Sequence, residues 1–262
     1  MSFVTLTTDF GIKDGNVGVM KGVIWGIAPQ AQIADLSHTI SPQNVAEASL
    51  ILVRAAPYFP ENTVHVVVVD PGVGTERRPI AARLGNQFYV APDNGVLARL
   101  LMRAELRQET IQFVHLNKPE FWLPEISHVF HGRDIFAPAG GHLAAGVPLS
   151  EMGSPMDDPV RLNLPRPERT SSGFKGQIIH LDHFGNIHTN IRHEILGEAK
   201  DATVRLCGRE IHGMVETFGQ RPAGDLVALY GSSGDLIVSV VNGNAARHLN
   251  AKVGEPVEVL VE

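Results

Sequence analysis

The chain has 262 residues, 44% of them hydrophobic and 19% charged, with a formal net charge of −6. That length holds one large domain or two modest ones with a full core, and the composition is that of a globular protein. Net negative charge argues against a nucleic-acid partner, the single Cys207 excludes an intramolecular disulfide framework, and no apolar run approaches the roughly 20 residues that span a bilayer. The start, MSFVTLTTDFG, has neither the basic region nor the apolar length of a secretory signal, so the expected compartment is the cytoplasm.

Ser2–Thr8 has the pattern of a strand and ends in TTDFG. Helical periodicity follows at Asn16–Ala28 and Asn44–Ala56, with a short strand at Gln32–Leu36 between them. The most informative segment is HVVVVDPGVGTERRP, His65 to Pro79. Its uninterrupted Val66–Val69 run predicts a strand within Thr63–Val69 buried on both faces, as in a parallel sheet. Asp70 then falls at the carboxyl end of that strand, where open α/β sheets place their ligands. Pro71, Gly72 and Gly74 end the strand, and Arg77 or Arg78 can fold back toward Asp70. A turn cap at Asp70 and solvated arginines remain an equal alternative from this segment alone.

Ile80–Leu84 and Gln87–Val90 form a predicted hairpin around Gly85–Asn86. A helix is expected at Gly95–Arg103 behind Asp93 and Asn94, a strand at Ile111–Leu116, and a helix at Asp134–Ala145. Strand–helix alternation of this kind predicts a mostly parallel α/β sheet with helices on both faces. A linker-like stretch, Pro148 to Ser172, carries five prolines and no period. Strands are expected beyond it at Gly176–Leu181, Asn186–Ile191, Thr203–Leu206, Glu210–His212, Leu226–Leu229, Leu236–Val241 and Val257–Leu260, as in a small β-barrel or sandwich. The expected domains are 1–165, α/β and catalytic, and 173–262, a β-barrel.

Chemistry must come from polar residues at strand ends. TTDFG supplies Asp9, with Asp14 just beyond; VDPGVGTERR supplies Asp70 and Arg77; APDNG supplies Asp93 and Asn94; FHGRDIFAP supplies His131, Arg133 and Asp134. Asp14, Asp93 and Asp134 are well placed as helix N-caps, and Arg133 with Asp134 as an ion pair at a helix start. His131 lies in a loop returning to the sheet's carboxyl edge, and histidine handles protons near neutral pH. In the second half, HLDHFGNIHTNI places Asp182, Phe184 and Asn186 in one turn. Hairpin geometry accounts for Gly185 and Asn186 but not for Asp182 and Phe184, whereas a flat ring beside an amide suits a purine. GSSGDL, with Ser232 and Ser233, is either a barrel corner or a carboxylate-binding turn.

DFG at Asp9–Gly11 has no kinase context, and GxxxxGK[ST], GxGxxG, HExxH and paired CxxC motifs are absent. Asp9, Asp14, Asp70, His131 and Asp134 could in principle gather two metals, but scattered carboxylates are a weak signal, and no metal is assigned. From the residues alone, a hydrolytic enzyme ranks first and a small-molecule binding protein second.

The segments TTDFG, KDGNVGVMKG, DLSH–ISPQNV, VVVVDPGVGTERRPIA, YVAPDNGVL, FHGRDIFAPAGGHLAAG, HFGNIHTNI and YGSSG follow one another in this order. Together they resemble, over nearly the whole chain, the adenosine-forming S-adenosylmethionine hydrolases, or hydroxide adenosyltransferases, relatives of fluorinase and chlorinase. The resemblance implies an α/β domain followed by a β-barrel, assembled as a homotrimer with S-adenosylmethionine bound at subunit interfaces. It implies hydrolysis to adenosine and methionine with no cofactor and no metal. Asp70, Arg77 and His131 take the catalytic positions, and Asp9 that of the ribose ligand. Phe184 and Asn186 would receive the adenine, and Asp182, Ser232 and Ser233 the methionine ends; Phe130 joins the substrate contacts. Position 70 is a tyrosine in the halogenases, and this chain also has no long insertion after the second helix, which points away from halide chemistry. The turn before Phe184 is one residue shorter than in fluorinase. A chlorinase-like halogenase and a non-catalytic S-adenosylmethionine-binding protein stand as the alternatives.

Overall fold

A computed structural model describes residues 2–261. The chain separates into two compact units, one up to Leu162 and one from Asn163 onward.

The first unit is built on β1 (Phe3–Thr8), β2 (Gln32–Ser37), β3 (Val64–Val68), β4 (Pro79–Leu84), β5 (Gln87–Pro92), β6 (Ile111–His115) and β7 (Ser154–Met156). Their order in the sheet is β2-β1-β3-β5-β4-β6-β7. β2, β1, β3 and β5 are mutually parallel. β4 reverses, β6 returns to the common direction, and β7 reverses again. Helices α1 (Asn16–Ile27) and α4 (Ala137–Ala144) cover one face, and α2 (Val45–Ala55) and α3 (Ala98–Leu106) the other.

The valine run makes β3 the centre of this sandwich. Val64, Val66 and Val68 enter the core under α1 and α4, while Val67 and Val69 enter the core under α2 and α3. A strand buried on both faces has no room for alternation with polar residues, which is the pattern the sequence carries. Gly140 lets α4 approach closely, since a Cβ there would overlap the Val66 side chain.

The second unit holds β8 (Glu168–Thr170), β9 (Gly173–Leu181), β10 (Ile187–Arg192), β11 (Thr203–Leu206), β12 (Arg209–His212), β13 (Leu226–Tyr230), β14 (Asp235–Val240) and β15 (Pro256–Leu260), with short helices α5 (His193–Leu196) and α6 (Ala245–Leu249). The order is β12-β11-β15-β9-β10-β14-β13, with β8 on β9. β9 pairs with β15 through its first half and with β10 through its second, so the sheet bends there. Just past β12, Met214 bridges Ala228 of β13, joining the two edges into a near-barrel. Ile178, Ile187, Ile191, Val204, Leu236, Val238, Val257 and Val259 fill it.

Several local expectations are corrected. The three aspartates do not cap helices. α1 starts from Gly15 without a side-chain cap, because the Asp14–Gly15 turn enters it through backbone bonds. The third helix starts at Ala98 rather than Gly95, since Gly95 adopts φ +92. Asp93 turns instead to Arg78 and to the Val160 amide. Asp134 is fully buried inside a π turn, Gly132–Phe136. The proline-rich stretch is not structureless, for β7 and β8 lie within it.

Candidate active site

Asp70 stands two residues past the end of β3, where the DPGVG turn leaves the sheet. That turn folds onto the loop preceding His131. Gly74 sits at φ +76, and a Cβ there would strike the His128 carbonyl oxygen, so only glycine fits. Past the turn, Arg77 comes back on Asp70 as a fork. Its Nε donates to Asp70 Oδ1 at 3.1 Å and its Nη2 donates to Oδ2. The same Nη2 faces His131 Nδ1 at 3.2 Å. Both side chains of the ion pair are almost wholly buried, 7% and 5% exposed, which makes this a desolvated pair and not a surface one. Three residues scattered along the chain thus form one constellation with Arg77 at its hub. Asp70 reaches the imidazole only through Arg77, so the guanidinium, and not the carboxylate, orients the ring.

Electrostatics fix the protonation of this group. A guanidinium carries donors only, so His131 Nδ1 must accept, and the ring is neutral. Burial, then the nearby Arg77 charge, push the His131 pKa below its usual value against the pull of Asp70 and Asp134. Arg77 lies 5.1 Å from the Phe136 ring centre in a cation–π contact. Its Nη1 is buried with no hydrogen-bond partner. A guanidinium N–H left unpaired in a buried site costs free energy unless something else accepts it, and that is the expected condition of a donor kept for a ligand oxygen.

The His131 loop is braced from beneath. Asp134 accepts from the Ser127 amide at 2.9 Å, from Ser127 Oγ at 2.7 Å and from Arg133 Nε at 2.5 Å. The anticipated Arg133–Asp134 ion pair at a helix start is present, in the turn Gly132–Phe136 that leads into α4, and it also braces this loop. Phe130 packs edge-on against Phe10 at 5.7 Å, next to Asp9 in the chain. Asp9 Oδ2 accepts from the Gln43 amide at 2.7 Å, which draws the ISPQNV loop to the end of β1. Asn94 Nδ2 donates to the Val69 carbonyl at 2.9 Å, tying the APDNG loop beside Asp70. Among the described residues, no group of three or more His, Cys, Asp or Glu side chains is arranged to hold a metal ion. No described helix is long and apolar enough to cross a membrane.

In the second unit, Asp182 and Asn186 clasp each other across the turn. Asp182 Oδ1 accepts from the Asn186 amide at 2.8 Å, and Oδ2 from Asn186 Nδ2 at 2.7 Å. These bonds hold the Asp182 carboxyl below the usual carboxylate range, although burial opposes them as the largest single influence. Phe184 stands out at the tip of the turn, 73% exposed. Ser232 and Ser233 lie in the turn before β14, with the backbone of Gly231 and Asp235 closing it. Sequence reasoning missed His188 and Asp235. His188 Nδ1 is 2.6 Å from Asp235 Oδ2 and its Nε2 is 3.5 Å from Asp182 Oδ2, so they link the two turns. The signal was a histidine at an outward position of β10, between buried Ile187 and Thr189.

Comparison with known proteins matches the SAM hydroxide adenosyltransferase N-terminal domain over residues 4–153 and the corresponding C-terminal domain over residues 176–258. The chain belongs to the SAM hydroxide adenosyltransferase family. Among its relatives is the (R)-S-adenosyl-L-methionine hydrolase of Thermus thermophilus, 38% identical over 260 residues, covering 98% of this chain and 99% of that protein. A fluorinase of Actinoplanes is more distant, 30% identical over 223 residues and covering 75% of this chain and 74% of its own. A crystal structure of an uncharacterized conserved protein from Thermotoga maritima superposes with a TM-score of 0.90 at 36% identity, covering 98% and 99% of the two chains.

Proposed function

We propose that this member of the SAM hydroxide adenosyltransferase family hydrolyses S-adenosyl-L-methionine, water attacking C5′ to release adenosine and L-methionine. The hydrolase relatives support the reaction, and their name supports the (R) sulfonium epimer as the substrate. The observation that carries the catalytic assignment is the buried Asp70–Arg77–His131 constellation, with the Nη1 group of the guanidinium left over.

The leaving group is a neutral thioether departing from a sulfonium, so no acid is needed to protonate it. The demand falls on the nucleophile, because free water has a pKa near 15.7. Arg77 Nη1 holds the attacking oxygen and stabilises the hydroxide character that develops on it. The Asp70 carboxylate, whose oxygens each keep a lone pair beyond the Arg77 fork, receives the proton and passes it to solvent, while the neutral His131, its Nδ1 accepting from Arg77, holds the guanidinium in place. Alignment of water, C5′ and sulfur supplies much of the remainder, at best roughly 7–11 kcal/mol. No cofactor or metal enters this scheme.

Asp9 holds the ribose hydroxyls, and Phe130 lines the same pocket. Phe184 stacks on the adenine and Asn186 meets its edge. Asp182 lies toward the methionine amino group, and Ser232 and Ser233 toward its carboxylate. The site is completed by a neighbouring copy in a homotrimer; the exposed Phe184 ring, which gains nothing from solvent, supports that reading. The cytoplasm is the proposed compartment, in keeping with the single Cys207 and the lack of a membrane-spanning helix among the described residues.

The test is incubation of purified protein with each sulfonium epimer, with and without chelator and with and without chloride, followed by liquid chromatography. Catalytic release of adenosine and methionine in chloride-free, chelated buffer is expected. Formation of 5′-chloro-5′-deoxyadenosine would assign a halogenase instead, loss of activity to chelator a metal enzyme, and stoichiometric binding without turnover a sensor.

A further inference from the structure

The Asp182–Asn186 clasp has a directional consequence. An ionised carboxylate accepts hydrogen bonds and donates none. Asp182 spends one oxygen on the Asn186 backbone amide and the other on Asn186 Nδ2, at 2.8 and 2.7 Å. Rotating the Asn186 carboxamide by half a turn would set its oxygen against a carboxylate oxygen, so the amide is locked. What remains for a ligand is one acceptor, Oδ1, and the second N–H of Nδ2.

That pair is the complement of an adenine edge, where the 6-amino group donates and N7 accepts. It is a mismatch for a 6-oxo purine, whose O6 would face Oδ1. The lock depends on Asp182 keeping its rotamer. His188 is the side chain placed to keep it, held by its Nδ1 on Asp235, only 3% exposed, with its Nε2 at ion-pair distance, 3.5 Å, from the Asp182 oxygen that grips Asn186 Nδ2. The turn itself needs neither, since Asp182 N donates to the Asn186 carbonyl at 3.1 Å and Gly185 N to the Asp182 carbonyl at 2.9 Å.

We infer that His188, anchored by Asp235, is a positioning residue that fixes the direction of the Asn186 carboxamide and thereby sets a preference for a 6-amino over a 6-oxo purine in the substrate. The inference rests on Asn186 meeting the adenine, as proposed above.

The experiment is steady-state kinetics with S-adenosylmethionine and its 6-oxo analogue, S-inosylmethionine, on wild type, His188→Leu, His188→Gln and Asn186→Ala. Wild type should prefer the 6-amino substrate. His188→Leu should raise KM for S-adenosylmethionine about tenfold, leave kcat within about threefold, and cut the preference about tenfold, the scale of one lost hydrogen bond to a charged group. His188→Gln, whose amide can stand near the imidazole Nε2 position, should recover most of both. An unchanged preference in Asn186→Ala would remove the adenine contact on which the inference rests. A preference lost in Asn186→Ala but kept in His188→Leu, or no preference in wild type, would overturn the positioning role while leaving the hydrolase reading intact. Should His188→Leu lose its cooperative melting transition, Asp182→Asn decides: the same fall in preference supports the lock, and an unchanged preference refutes it.

Discussion

Arg77→Lys isolates the role of the guanidinium while keeping its charge. In the wild type, one side chain makes a fork on both Asp70 oxygens, faces His131 Nδ1 at 3.2 Å, stacks 5.1 Å from the Phe136 ring centre and keeps Nη1 free. A lysine ammonium is a point charge on a flexible stem and cannot serve these positions together. It would settle on Asp70, leaving the imidazole without its donor and the attacking oxygen without its partner. Loss of one donor to the developing anion costs about 10²–10³ in kcat, or roughly 3–4 kcal/mol. Stability should fall less, about 1.5–3 kcal/mol, because one charge-assisted contact to Asp70 survives out of two. Both quantities are measurable on one preparation, kcat by chromatography of adenosine under saturating substrate and stability by urea unfolding. A variant that folds normally and turns over within threefold of wild type would refute the assignment of Arg77 to the attacking oxygen.

Three further outcomes are expected. A neutral His131 requires that kcat/KM fall as pH drops through a midpoint below 6.5, because burial and Arg77 lower its folded-state pKa; His131→Ala should lose about 10²–10⁴ in kcat together with that acid limb, and a limb that persists unchanged would assign it to another group. Asp9→Ala should raise KM about 10- to 100-fold with little change in kcat, the cost of charged hydrogen bonds to substrate, and an unaltered KM would take Asp9 out of the site. His65, fully buried beside Thr5 and stacked on Tyr89, has its pKa lowered to about 4 by burial. The unfolded chain therefore binds the extra proton first, and the neutral ring's contribution to stability is fully present above about 6.5 and declines as pH falls toward about 4. At about 1.4 kcal/mol per pH unit this amounts to roughly 3 kcal/mol, visible as the difference in acid sensitivity between wild type and His65→Gln; parallel curves would contradict it.

How much of this was legible in the chain depended on the range of the interaction. The Val66–Val69 run disclosed a strand buried on both faces, because burial on two sides leaves a one-dimensional trace. The Gly85–Asn86 hairpin was equally local, with Gly85 at φ +63. The capping assignment for Asp93 failed because a cap and a long-range carboxylate partner look alike in sequence, whereas α1 begins through backbone bonds at Asp14–Gly15 and Asp134 turns to the nearby Ser127 and Arg133. Asp93 meets Arg78 and the Val160 amide 67 residues later, and no spacing rule announces such a pairing. For the site, the motifs supplied Asp70, Arg77 and His131, but not the order of contact with Arg77 in the middle. His188 and Asp235 were missed for the same reason as the failed caps: a polar residue on a strand's outward face is ordinary until a partner 47 residues away is seen beside it.

The most direct test of the central claim is turnover in water enriched in oxygen-18, with mass spectrometry of the products. Attack by water at C5′ predicts one heavy oxygen in the 5′-hydroxyl of adenosine and none in methionine. Adenosine without the label, or label in a product of cleavage at another carbon of the sulfonium, would contradict the mechanism assigned to Asp70, Arg77 and His131.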